Sequence, residues 1–80
     1  MGLNTDYKLK IEDNVLEIQH PIIDEFTFFD VCNLDGKICL TGHLNQSEER
    51  TKADLSAIPK GMYQLFIING GSIFSERLKV

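Results

Sequence analysis

The stretch Asp54-Leu55-Ser56-Ala57-Ile58-Pro59-Lys60-Gly61-Met62-Tyr63 runs directly into the apolar segment Gln64-Leu65-Phe66-Ile67-Ile68. Pro59 and Gly61 stand four and two residues before Tyr63, at the mouth of a strand apolar enough to be buried. That pattern reads as a tyrosine corner. The phenol packs under the loop and its hydroxyl bonds the backbone a few residues upstream, which pins a crossover between two sheets. Pro59, Gly61 and Tyr63 are therefore fold determinants. A corner specifies an architecture and no reaction, because sandwiches of this kind host many functions.

Working outward, nearly every segment shows a two-residue period or a short apolar run between turn residues, the pattern of a small all-β domain. Tyr7-Lys8-Leu9-Lys10-Ile11 alternates, Glu12-Asp13-Asn14 turns, and Val15-Leu16-Glu17-Ile18 returns as a hairpin. His20-Pro21 interrupts the sheet, since proline has no N–H for a ladder and restricts the residue before it. A strand from about Glu25 to Cys32 turns at Asn33-Leu34-Asp35-Gly36, with Gly36 a further fold determinant, and comes back as Lys37 to Thr41. Asp-Gly between alternating apolar runs is a strong hairpin signal. Asn45 to Glu49 is a polar loop and Arg50 to Leu55 a half-exposed strand. Beyond the corner, Gly61 to Ile68 is the most apolar strand, Asn69-Gly70-Gly71 a tight turn, and Ser72 to Val80 the last strand.

Seven short strands at about ten-residue spacing predict an immunoglobulin-like antiparallel β-sandwich, a single domain over residues 1–80. Its expected core is Phe29, Val31, Ile38, Leu40, Leu55, Tyr63, Leu65, Ile67, Ile73 and Leu78. Phe26 and Phe28 fall on the opposite parity to Phe29 and Val31. Either a bulge separates Phe28 from Phe29, or the outer face carries an apolar patch. The bulge is favoured here because isolated soluble domains rarely expose such patches.

Size and composition narrow the functions. A chain of 80 residues buries only about 60–65% of the surface its unfolded form exposes, so the core is thin. Its 42% hydrophobic and 25% charged residues are ordinary for a globular domain and exclude a disordered or fibrous chain. A net charge of −4 with scattered Lys and Arg opposes nucleic-acid binding, which needs clustered cations. No apolar run approaches the roughly 20 residues of a membrane span. Met1 to Asp6 lacks the regions of a signal peptide, and Asp6 stands where myristoylation at Gly2 prefers Ser or Thr.

No catalytic or metal site emerges, and no cofactor is expected. His20, His43, Cys32 and Cys39 are the candidate transition-metal ligands. Cys39 and His43 lie about 13 Å apart along a strand and cannot share one ion. The expected reading is two surface histidines and two half-buried thiols. With Cys32 opposite Lys37, Cys39 is a diagonal neighbour beyond normal disulfide reach, so both thiols are expected to stay free. The acidic pairs Glu12-Asp13, Asp24-Glu25 and Glu48-Glu49 lack the spacing of a calcium loop. Asn69-Gly70-Gly71 has neither the following helix nor the Lys-Ser/Thr pair of a phosphate loop. Asn45-Gln46-Ser47 matches a glycosylation sequon, a frequent chance match.

Several segments share one order along the chain: Leu16-Glu17-Ile18, Val31 to Ile38 with Asp35-Gly36-Lys37, Asp54-Leu55-Ser56 followed by Ile58 to Tyr63, Asn69-Gly70, and closing Arg77-Leu78-Lys79-Val80. This order resembles the C-terminal sorting domain of the type IX secretion system of Bacteroidetes, a β-sandwich at the end of large secreted proteins. The resemblance covers roughly residues 14–80. It implies a folded address that follows a passenger and is recognised by the secretion machinery after the passenger has reached the periplasm on its own N-terminal signal. A surface sortase then removes it, often while joining the passenger to lipopolysaccharide, and the passenger is secreted or kept at the cell surface. The resemblance puts recognition near the last strand, at Arg77, Leu78, Lys79 and Val80, by strand or patch pairing. The rival reading is an Ig-like structural or protein- or carbohydrate-binding module of an extracellular protein. Sugar platforms favour exposed Trp and Tyr, and this chain has no Trp. An exposed last strand also permits an edge-strand dimer.

Overall fold

A computed structural model describes residues 7–22 and 25–80. The sequence readings at Met1 to Asp6 and at Asp24 lie outside the described residues.

The described residues form seven strands: β1 (Lys8–Glu12), β2 (Val15–Gln19), β3 (Thr27–Asn33), β4 (Ile38–His43), β5 (Arg50–Asp54), β6 (Met62–Asn69) and β7 (Ser72–Lys79). They build two antiparallel sheets, ordered β1-β2-β5 and β4-β3-β6-β7. The sandwich is thus three strands on four. In an immunoglobulin constant-type sandwich the fourth strand joins the first sheet. Here a short hairpin keeps β4 beside β3: Asn33 accepts from the Gly36 N–H at 2.9 Å and donates its own N–H to Lys37 at 2.9 Å, with Gly36 at φ +89°. That is a type I turn closed by a left-handed glycine, the usual three-residue hairpin. The β1–β2 hairpin instead turns on Asp13 and Asn14, both at positive φ, as a two-residue turn twisted like its flanking strands requires.

The core lies between the sheets. Phe29, Val31, Tyr63, Leu65, Ile67 and Leu78 enter it from the four-stranded sheet, Leu16 and Ile18 from the other, and Leu44 and Leu55 from connections. Leu40 packs against it while partly exposed. Ile38 and Ile73, expected in the core, are 55% and 67% exposed. Their pairing explains this: Ile73 sits opposite Ile68 and Ile38 opposite Cys32, both on the outward parity. Leu16, Ile18 and Leu44 belong to the core and were absent from the expected set, although the alternation of Leu16, Glu17 and Ile18 carried the signal.

The expected bulge between Phe28 and Phe29 is not there. β3 pairs with β6 without interruption from Thr27 to Asn33, and Thr27, Phe29 and Val31 alternate inward. The register shift falls instead between Val31 and Cys32 on the β4 side, where Val31 faces Leu40 and Cys32 faces Ile38. Cys39 is the extra residue, and Cys32 does not face Lys37. The other sequence alternative holds: Phe28 is on the outer face and Phe26, just before β3, is 61% exposed, 5.9 Å from Phe28 between ring centres.

Candidate functional site

The corner expected at Tyr63 is built as its chemistry demands. The Tyr63 hydroxyl donates to the Pro59 carbonyl at 2.6 Å while its ring is buried in the core. The chain crosses here from β5 in one sheet to β6 in the other. Asp54 starts the crossover by accepting the Ser56 N–H at 2.9 Å. This bond, and a second from the Ser56 hydroxyl, holds the Asp54 carboxyl below its ordinary range. Leu55 donates its N–H to Asn14 at 2.7 Å and the Lys60 ammonium reaches the Asn14 side chain at 2.8 Å, so the β1–β2 turn braces the crossover.

The same crossover receives the end of the chain. Val80 and Gly61 exchange both backbone hydrogen bonds, at 2.8 and 3.1 Å, extending the β6–β7 ladder past Lys79. Gly61 has φ +150°, a conformation that residues with a Cβ rarely adopt. Leu78 lies opposite Tyr63 and is buried with it. The four residues expected to be recognised therefore divide into two pairs. Leu78 is a core residue and Val80 packs against the core, whereas Arg77 and Lys79 are exposed on the outer face. Arg77 donates to the Gln64 side chain at 3.3 Å, and Lys79 pairs with Met62.

Backbone geometry decides what β7 offers to a partner. In an antiparallel ladder, residues alternate between those bonded to the neighbouring strand and those whose N–H and C=O point away from it. Val80 exchanges bonds with Gly61, so Leu78, Glu76 and Phe74 bond toward β6. The backbone groups of Ile73, Ser75, Arg77 and Lys79 point away from β6, to the side of β7 that no other described strand covers.

The metal candidates do not converge. Among the described residues no three His, Cys, Asp or Glu side chains come together as ligands. His20 is buried, contrary to the surface position expected. Its Nδ1 lies 2.8 Å from the Pro21 carbonyl and its Nε2 2.9 Å from the Thr51 hydroxyl. A carbonyl only accepts, so Nδ1 donates to Pro21, and in the neutral ring Nε2 accepts from the Thr51 hydroxyl. Thr51 in turn accepts the Asn45 N–H at 2.8 Å. Asn45, the sequon residue, bonds the Arg50 carbonyl at 2.7 Å and closes its own loop. His43 is on the outer face, its ring 5.7 Å from that of Phe26. Cys39 is exposed and Cys32 buried, both as free thiols. Burial, then the nearby Asp30 and Cys39, push the Cys32 thiol up from its ordinary pKa.

These features define an all-β sandwich domain with a pinned crossover and, among the described strands, β7 at the edge of its sheet. Residues 7–80 match the family described as the secretion system C-terminal sorting domain, and the chain belongs to that family. A comparison with curated proteins found no match. Domains of this family are sorting signals of type IX secretion that follow a passenger and direct it to the cell surface or the extracellular space, and the family is not one of enzymes.

Proposed function

We propose that the type IX machinery reads this domain at β7, with Arg77 and Lys79 presenting side chains and Leu78 and Val80 holding the strand in place. The observation that carries this reading is the contrast among the four sheet edges. β1 and β5 have five residues each and line their outer side with Lys8, Lys10, Arg50 and Lys52. β4 has the register shift beside Cys39. Short length, cations and bulges are the ordinary means of blunting an edge. β7 has eight residues in unbroken register with β6, so it is the edge best able to accept an added strand. Once the passenger is delivered, a surface sortase removes the domain, and the passenger's own N-terminal signal serves the earlier crossing of the inner membrane.

The test fuses residues 1–80 behind a reporter with an N-terminal export signal, in a bacterium that has a type IX system. Ser75→Pro removes an edge-facing N–H while sparing the bonds to β6, a place where a sheet tolerates proline. The expected result is a folded domain, verified by melting the purified variant, with the reporter left in the periplasm. Arg77→Glu with Lys79→Glu is expected to do the same through the side chains. Surface delivery of both variants at the parental level refutes the assignment to β7.

A further inference from the structure

The two outer faces of the sandwich differ in kind. On the three-stranded sheet the outward positions are Lys8, Lys10, Glu12, Glu17, Arg50, Lys52 and Asp54, interrupted only by Val15 and Gln19. On the four-stranded sheet the strand registers align a cross-strand row of His43, Phe28, Ile68 and Ile73. Phe26 stacks at its end against Phe28 and His43. Phe66 follows in the next row, beside Asp30, whose carboxylate already receives the Thr41 hydroxyl at 2.8 Å. At the opposite end of the same face stand Arg77 and Lys79, with the exposed Ile38 in the row of Arg77 and the exposed Met62 opposite Lys79.

We infer that the outer face of the four-stranded sheet, from the Phe26–Phe28–Ile68–Ile73 row to Arg77 and Lys79, is a docking surface for a component of the secretion machinery whose contacting surface is apolar along its length and acidic at one end. This rests on the sorting reading of β7 and adds to it a side-chain face and a partner chemistry. Charge sets the polarity of the partner. The chain as a whole carries −4, yet this face ends in two cations, and its one carboxylate in the rows between, Asp30, is engaged by Thr41. Lys79 is six residues on from Ile73, so the acidic part of the partner lies about 20 Å along the strand from whatever covers the Ile73 row. The face is continuous with the β7 edge, because the residues whose backbone groups point to that edge, Ile73, Ser75, Arg77 and Lys79, also project their side chains onto it. One partner can therefore add a strand to β7 and cover the row beside it. Large exposed apolar patches on soluble domains mark interaction sites, and a row holding Ile73 and Phe26 at 67% and 61% exposure is such a patch.

The same reporter fusion tests this inference separately from the reading beneath it. Phe26→Ser with Ile73→Glu alters only exposed side chains, so the purified variant is expected to melt close to the parent. Surface delivery is expected to fall about tenfold or more, the effect of losing roughly 1.4 kcal/mol of binding per factor of ten. Lys8→Ser with Lys52→Ser, on the opposite face, is expected to leave delivery unchanged. Normal delivery of the Phe26/Ile73 variant alongside a block by Ser75→Pro overturns the docking face and leaves the edge reading standing. Failure of the parental fusion to leave the periplasm strikes the sorting reading itself. Sedimentation of the purified domain closes the remaining route: a dimer abolished by Ile73→Glu, with delivery intact, assigns the face to a second copy of this chain and overturns the inference.

Discussion

Val80 and Gly61 bond each other twice through their backbones, which makes Val80 part of the sheet. The partner in this exchange is a glycine at φ +150° with no atom within 4 Å of where a Cβ would sit. Gly61→Ala therefore meets no clash and suffers only backbone strain, on the order of 1–3 kcal/mol. A thermal melt should show the midpoint falling by roughly 4–8 °C for each kcal/mol in a domain of this size. An unchanged midpoint would show that the glycine is dispensable to the corner.

Tyr63→Phe separates the corner's hydrogen bond from its packing. The ring keeps its place opposite Leu78, and the loss is the 2.6 Å bond to Pro59. Pro59 is exposed, so water can replace the lost donor, and the expected cost is about 0.5–1.5 kcal/mol, not the larger cost of a buried orphan. Chemical denaturation should give this as a lower midpoint with an unchanged slope. A cost above about 3 kcal/mol would mean that the hydroxyl organises more than the loop it touches.

The corner was legible because it is local: Pro59, Gly61 and Tyr63 sit within five residues and their chemistry needs no distant partner. The hairpins at Asp13-Asn14, Gly36 and Gly70 were legible for the same reason. Parity failed where a nonlocal register decided it. Ile38 and Ile73 have the composition of core residues, yet the shift at Cys39 and the pairing of Ile73 with Ile68 turn them outward. The outer apolar row was visible as two phenylalanines of the wrong parity, and an unbroken β3–β6 ladder, with no bulge between Phe28 and Phe29, resolves it. Leu78 was expected both as core and as a recognised residue, and its pairing with Tyr63 puts it in the core. The His20–Thr51 contact joins residues 31 apart in sequence, and no local pattern announces it.

That contact gives a third expectation. The Thr51 hydroxyl hydrogen-bonds the His20 Nε2 and accepts from the Asn45 N–H, and both Thr51 and His20 are buried. Thr51→Val keeps the shape and strands both partners, at about 1–3 kcal/mol for each unsatisfied group. Thr51→Ser keeps the hydroxyl and is expected to cost well under half as much. A Thr51→Ser variant that melts below Thr51→Val would show that the methyl group, not the hydroxyl, matters at this position.

The pH dependence of the corner follows from Asp54. Its carboxylate is favoured in the folded state by the Ser56 N–H and hydroxyl, so its folded pKa lies below the ordinary 3.8. A lowered pKa gives stability that is fully present above the unfolded value and disappears as pH falls through the folded one. Asp54→Asn should therefore be less stable than the parent at neutral pH and converge with it in acid below the ordinary carboxylate range. Melting curves of the pair from pH 7 down to about pH 2 check this. A gap that persists undiminished in acid would refute the carboxylate as its source.

The two thiols should differ sharply in reactivity. Thiolates, not thiols, attack alkylating reagents, and access matters as much as ionisation. Cys39 is exposed on the irregular edge of β4, whereas Cys32 is buried and its thiol is pushed up by burial, then by the nearby Asp30 and Cys39. Iodoacetamide at neutral pH is therefore expected to label Cys39 in the folded domain and Cys32 only after denaturant opens the sheet. Tryptic cleavage after Lys37 places the two cysteines on different peptides, so mass spectrometry follows each rate separately. Labelling of Cys32 as fast as Cys39 in the native domain would show that the groups covering Cys32 beside the β3–β4 register shift move aside readily.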